Sequence, residues 1–518
     1  MLATTFTDVL FRQISPTMRH ALGVPKPPER LDRRGWDAVY RNVRTRFHRL
    51  MDLMDPSPTP KNRRLNDVDF VILMELHRGA RTHEEWDRRR ERLTWFINEI
   101  LEMSIRTLPR AVRRRWKGSA AVDMTVIPAF ARPDRRKQRT RKGTTPEVIT
   151  HSADPDADWY HRGERSGRDG EVEPKFSVWG YEATLVVSGS DDPSDPQAMP
   201  SLVVGMAPLH KPGTQPGRNA VVALRSIHER GHPAHYLAGD RAYSNAKPED
   251  FQLPARALGC LLVLDYKVDQ LGVQDSYQGM LLVDGGWYCP GMPEKLINAT
   301  RDLRDGTIDE WTHRVLMVER WKYAILPKAG PDPGGHVRAR CPASKPSPVA
   351  RCEIKPSSEG PSTRGRLRIP VTDALRAHPP KICTAQSITV PPEAGAKFAQ
   401  PLLHESDEWH ATYATLRNSV EGMNGYIKDG SHEALDDPER RRIRGVAAQS
   451  VFTAFLLCAA NLRKIESYRA EAEGEASGTV RRLPRRRATR DLTDWLPDSS
   501  GVAAIDSHPS GPDPPLIA

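Results

Sequence analysis

In RGWDAVYRNVRTRFHRLMDLM, the residues Trp36, Val39, Tyr40, Val43, Phe47, Leu50, Met51 and Met54 recur at the three-and-four spacing that lines one face of a helix. DPSPTP then breaks the chain. NDVDFVILMELHRG fits a second helix. A third is announced by Thr82 and Glu85, a capping-box pair, ahead of Trp86, Leu93, Phe96, Ile97, Ile100, Leu101, Ile105 and Leu108. Its other face is rich in arginine. The pattern predicts a helical domain over residues 1–116 with basic surfaces; DNA binding is one reading, and a solvated Arg/Glu face looks the same.

After Trp116 the period changes. SAAVDMTVIPAF, KFSVWGYEATLVVSG and PSLVVGMAPL are apolar, β-branched runs bounded by turn residues, with no helix between them. RNAVVALRSIHERG then reads as a helix, AHYLAGD as a strand, AKPEDFQLPARALG as a helix and CLLVLDYK as a strand. This order predicts an α/β fold whose mixed sheet is antiparallel in its first part and parallel in its second, over residues 117–275. Residues 276–409 carry weak β patterns (GMLLVDGGWYC, HRVLMVERWKYAIL, GRLRIPV) among many Pro and Gly, and are expected to form a β-rich insertion domain. Residues 410–470 supply two further helices, the second strongly apolar. The tail 471–518 is expected to be disordered.

Composition narrows the class. The 518 residues are 38% hydrophobic and 28% charged, as in a globular protein, and the formal net charge is +11. No apolar run is read as long enough to span a membrane, so a polyanionic partner points to nucleic acid rather than a bilayer. A basic surface with no specific partner fits the charge equally well. The N-terminus lacks the uninterrupted apolar region of a secretory signal, and six cysteines are too sparse for a disulfide scaffold, so a cytoplasmic location is expected.

Three acids stand out. Asp123 sits inside AAVDMTVI, where a charged carboxylate is costly unless paired or bound to a cation. A strand-end Asp with a hydrogen bond would look the same. Asp240 follows the strand AHYLAG, at the end where parallel sheets place their sites, and Tyr243 comes three residues on; GDRAY alone is also a common turn. In YATLRNSVEGMNGYIK, Tyr413, Arg417, Glu421 and Lys428 fall at roughly 0°, 40°, 80° and 60° around a helix. Leu416, Val420, Met423 and Ile427 fill the adjoining arc, so Glu421 lies at the lip of the core. Carboxylates from a strand, a strand end and a late helix can converge on hard divalent cations, with Arg417 and Lys428 beside them for phosphate.

The spacing of Arg417, Glu421 and Lys428, with Asp240 and Tyr243, resembles the DDE transposases of bacterial insertion sequences, in the branch with a Tyr-Arg-Glu-Lys signature around the third acid. The resemblance runs from about Ser119 to Ile465. It implies an RNase H-like catalytic core interrupted before the glutamate helix, with Asp123, Asp240 and Glu421 as catalytic ligands of two Mg²⁺ ions, Mn²⁺ being able to substitute. It further implies cut-and-paste transposition: nicking at transposon ends, strand transfer into target DNA, recognition of terminal inverted repeats by the N-terminal helices, and a homodimer in the synaptic complex at the nucleoid. Three residues separate Tyr413 from Arg417 where the family has two.

Other features are weaker. ARPDRRKQRTRKG holds seven Lys or Arg, Arg135, Arg136 and Lys137 among them, and follows the Asp123 strand directly, so it is a candidate phosphate track. A solvated loop fits it too. Cys289, Cys341, Cys352 and Cys383 all fall in the insertion and can hold a structural Zn²⁺, although no CxxC pair is present and four unpaired thiols fit as well. Two rivals remain: a catalytically inactive transposase relative that binds DNA as a regulator, and a glycoside hydrolase, which has little use for Arg417, Lys428 or so basic a chain.

Overall fold

The computed structural model describes residues 15–21, 33–57, 63–136, 148–166, 172–325, 327 and 330–476. Helices α1 (Arg33–Met54), α2 (Asp67–Gly79) and α3 (His83–Thr107) form where the apolar spacing predicts. Asn66 and Thr82 cap α2 and α3 by accepting the N–H groups of Asp69 and Glu85, which satisfies one orphan donor at each start. The expected domain boundary at 116 is not a packing boundary. Leu93, Ile97, Ile100 and Leu101 of α3 share one buried cluster with Met51 and Met54 of α1 and with Tyr181, Leu185, Val203 and Met206 of the sheet. The apolar face of α3 needs a partner, and the sheet supplies it.

The sheet has six strands: β1 (Ala120–Pro128), β2 (Asp158–Ser166), β3 (Val172–Ser188), β4 (Val203–Met206), β5 (Tyr236–Gly239) and β6 (Leu261–Leu264). β1 lies centrally, antiparallel to β3 with Asp123 opposite Leu185, and parallel to β5, which is parallel to β6. β3 is long enough to pair β2 along its first half and β4 along its second, both antiparallel. Helix α4 (Pro216–Glu229) packs on β3 and β4 and leads the chain across to β5. The fold is therefore mixed α/β, as expected. β2 was not expected, because its sequence DWYHRGERS is polar throughout; its strand partner is β3 alone, so one edge faces away from the sheet.

The insertion is not β-rich. It opens with an antiparallel meander, β7 (Val273–Tyr277), β8 (Met280–Val283) and β9 (Gly286–Tyr288), but HRVLMVERW belongs to helix α5 (Glu310–Trp321). Asp309 caps that helix by accepting the Thr312 N–H at 2.7 Å, and it buries His313, Met317 and Arg320 on one face. Two of those three are polar, so a reading of apolar positions misses the helical period. GRLRIPV contributes only an isolated bridge from Arg368 to Arg351, and a short pair, β10 (Val337–Ala339) with β11 (Ile388–Val390), completes the region. The insertion has its own buried cluster.

Helix α6 (Asp407–Ile427), capped by Ser406, lies across β1, β3, β5 and β6. Helix α7 (Val446–Ala476) buries Val446, Ala447, Val451, Ala454, Leu457 and Ala460 in the sheet's cluster. Contrary to expectation, one stretch, Val446–Gly474, is long and apolar enough to cross a membrane, but 61% of its apolar window is buried inside the fold, as in a core helix. The chain forms one unit over Met1–Glu466 and another over Ser467–Ala518. In the second unit Ser467–Ala476 is helical, so the expected disordered tail begins inside a helix; residues 477–518 lie outside the described residues.

Candidate active site

Asp123 stands mid-strand on β1, and its neighbourhood is built by three other elements. Asp240 follows β5 directly and caps the next helical turn, its carboxylate accepting the Ala242 N–H at 2.9 Å. Gly239, just before it, lets the Tyr243 ring tuck under the strand: a Cβ there would sit 3.1 Å from that ring. Across the sheet, α6 presents Arg417, Glu421 and Asn424 on one face while Leu416, Val420, Met423 and Ile427 go into the core.

The polar contacts centre on Asp123. Its Oδ1 accepts the Met124 N–H at 2.9 Å, and its Oδ2 accepts the Asn424 amide at 3.1 Å with the Arg417 guanidinium 3.8 Å away. Arg417 also donates to Glu421 Oε1 at 2.8 Å. Burial pushes the Asp123 carboxyl up to about 6; Arg417 pulls it down, and the carboxylates of Asp240 and Glu421 push it up again. Asp123 and Arg417 are nearly enclosed, with side chains 15% and 14% exposed, whereas Glu421 is 59% exposed. The buried acid is thus stressed by two like charges and relieved by one guanidinium.

Most of the residues singled out in the sequence meet here. Burial lowers Lys428, at the end of α6, and Asp123 and Asp436 oppose that shift. Tyr413 stacks on Trp409 with ring centroids 4.8 Å apart, and burial raises its phenol to about 12, with Asp265 and Asp240 adding to the rise. The extra residue before Arg417 leaves Tyr413 on the same flank. Tyr243 is a correction: expected among phosphate contacts, it is fully buried, its hydroxyl has no hydrogen-bond partner, and burial and the charges of Asp123 and Asp240 hold its pKa far up. It lies buried beneath the acids and presents nothing to the surface. Arg135 and Arg136 are exposed on a short strand paired with Val148–Thr150, which packs against α2. Lys137 lies outside the described residues.

Three contributors were missed. Glu182 on β3 is 3% exposed; burial raises its pKa, as do Asp123 and Asp240, while the Gly213 N–H it accepts at 2.8 Å opposes the rise. The signal that singled out Asp123, a lone carboxylate in an apolar strand, applied equally to KFSVWGYEATLVVSG. Asn424 lies one turn past Glu421, but an asparagine in a helix draws no attention by type. Asp265, just after β6, pairs with Arg241 at 2.9 Å and has His404 3.6 Å away; burial works to raise it, but these two neighbours win and hold it at about 2.

Among the described residues, no group of three or more His, Cys, Asp or Glu side chains is placed, as it stands, to hold a metal ion. Glu421 instead pairs with Arg417. Comparison with protein-family models, with curated proteins and with solved structures found no match.

Proposed function

We propose that the chain is a DDE-type DNA transposase with an RNase H-like catalytic core. The strand order β2-β3-β1-β5-β6, with β4 also paired to β3, runs antiparallel as far as β1 and parallel from β1 to β6, and supports this reading. So does the position of one acid on the central strand, one after β5 and one on the helix that returns across the sheet after the insertion. The observation that carries it is the stressed carboxylate: Asp123 is buried beside Asp240 and Glu421, with Arg417 as its close counter-charge. Such an acid gains from a hard cation, and the all-oxygen donor set fits Mg²⁺ or Mn²⁺.

Asp123, Asp240 and Glu421 would hold two such ions, which when bound activate an attacking oxygen and stabilise the leaving one in phosphodiester displacement. The chain's own residues do the rest. Arg417 keeps Asp123 ionised, and its exchange between Glu421 and a phosphate frees the glutamate. Arg417 grips that phosphate through two donors and Lys428 through a point charge. Asn424 fixes the rotamer of Asp123. The net charge of +11 draws double-stranded DNA, both transposon ends and target, to a chain that pairs as a homodimer at the nucleoid.

The test uses a supercoiled plasmid carrying the DNA that flanks the gene on both sides, incubated with the full chain and Mg²⁺. The wild type nicks at the ends, while Asp240→Asn and Glu421→Ala bind the same DNA in a mobility shift without nicking it. Full nicking by either variant would remove the site. Specific end binding without nicking by the wild type would favour a regulatory, inactive relative.

A further inference from the structure

The insertion carries a second constellation, unrelated to the acids. Cys289, Cys341, Cys352 and Cys383 come from four separate stretches, yet all are buried in one cluster, 2%, 4%, 5% and 4% exposed, and none is in a disulfide. Three of them head the same kind of turn. The Met292 N–H bonds to the Cys289 carbonyl at 3.0 Å, the Ser344 N–H to that of Cys341 at 2.9 Å, and the Lys355 N–H to that of Cys352 at 2.9 Å. In each turn the backbone N–H two residues on, at Gly291, Ala343 and Ile354, also points at the cysteine's own sulfur. Donors aimed at sulfur stabilise a thiolate, and a neutral buried thiol has no need of three such turns.

The charges agree. Lys355, three residues past Cys352, is buried and donates its ammonium to the carbonyl of Ala385, two residues past Cys383, at 2.8 Å.

We infer that these four cysteines form a structural zinc site that ties the two ends of the insertion together. Soft sulfur donors in a closed, buried set of four select Zn²⁺ in tetrahedral geometry, with no open position for substrate. Binding releases the four thiol protons to solvent and leaves a doubly negative tetrathiolate, offset by Lys355 and the turn N–H groups. The sulfurs close on the ion by side-chain rotation, all four being free thiols. Cys289 follows β9 and Cys383 precedes β11, so the ion pins segments whose apolar content is low.

The full chain, purified without chelator, is expected to carry about one zinc by elemental analysis, released by a mercurial that titrates thiols. Co²⁺ alone, added to the stripped wild-type chain, should give the intense visible absorption and near-ultraviolet thiolate band of a tetrahedral sulfur site. Cys341→Ser and Cys352→Ser should lose the zinc, while Cys458→Ser keeps it. Sub-stoichiometric zinc in the wild type, or a weak octahedral Co²⁺ spectrum, overturns the proposal even if the serine variants fail to fold. These readouts do not depend on DNA cleavage, so the site stands or falls apart from the transposase reading.

Discussion

At the residue scale, Asp123 sets the behaviour of the site. Folded Asp123 keeps its proton up to about 6, whereas an unfolded aspartate loses it near pH 4, so the native state binds more protons in that window. The stability this residue contributes is full below about pH 4 and is lost as the pH rises through about 6. Asp123→Asn should therefore unfold later than the wild type at pH 8, by about 2–3 kcal/mol in a denaturant titration, with the difference vanishing near pH 4. Mg²⁺ should raise the wild-type melting temperature at pH 8 and leave Asp123→Asn unmoved. Arg417 works against the shift, so Arg417→Ala should move the acid limb of the nicking profile about one pH unit upward, measured as rate against pH. The importance of Asp123 was legible because its neighbours are apolar. That of Asn424 was not, because its value comes from a contact across some 300 residues of chain, an amide 3.1 Å from Asp123.

At the element scale, helix α6 runs without interruption through Gly422 and Gly425, and a Cβ at either would meet nothing within 4 Å. The sheet does not require these glycines, so Gly422→Ala and Gly425→Ala should each stabilise the chain by up to about 1 kcal/mol in thermal or denaturant unfolding. If the proposed function holds, the open face they leave is where a DNA backbone passes, and the double variant should nick several-fold more slowly while folding better. The helix itself was readable from its apolar arc, as were α1 to α3. Helix α5 was hidden because two of its three buried positions are His313 and Arg320, and Arg320 owes its burial to an ion pair with Asp284 at 2.7 Å that no local pattern announces. β2 was hidden for the opposite reason: an edge strand can stay polar and still pair.

For the whole molecule, charge is the readable property and packing the unreadable one. Affinity for duplex DNA should fall steeply with salt, and Arg135→Ala with Arg136→Ala should flatten the log–log slope by about 1–2, measured by fluorescence anisotropy from low to moderate salt. The polar fastening of helices α3 and α7 to the border of the sheet could not be read, since it uses two asparagines that resemble any others. Asn98 of α3 exchanges two hydrogen bonds with the Met206 backbone, both 2.9 Å, and Asn461 of α7 does the same with Val203. Each amide stands in for a missing neighbouring strand along β4, and Asn98→Ala should cost about 2–4 kcal/mol by stranding a buried N–H and C=O. The same rivets make a ruler: on the proposed function, with a duplex held at α3, that duplex cannot drift relative to Asp123 without breaking the sheet's border, so the offset from the bound sequence to the scissile phosphate would be fixed by the protein's own backbone.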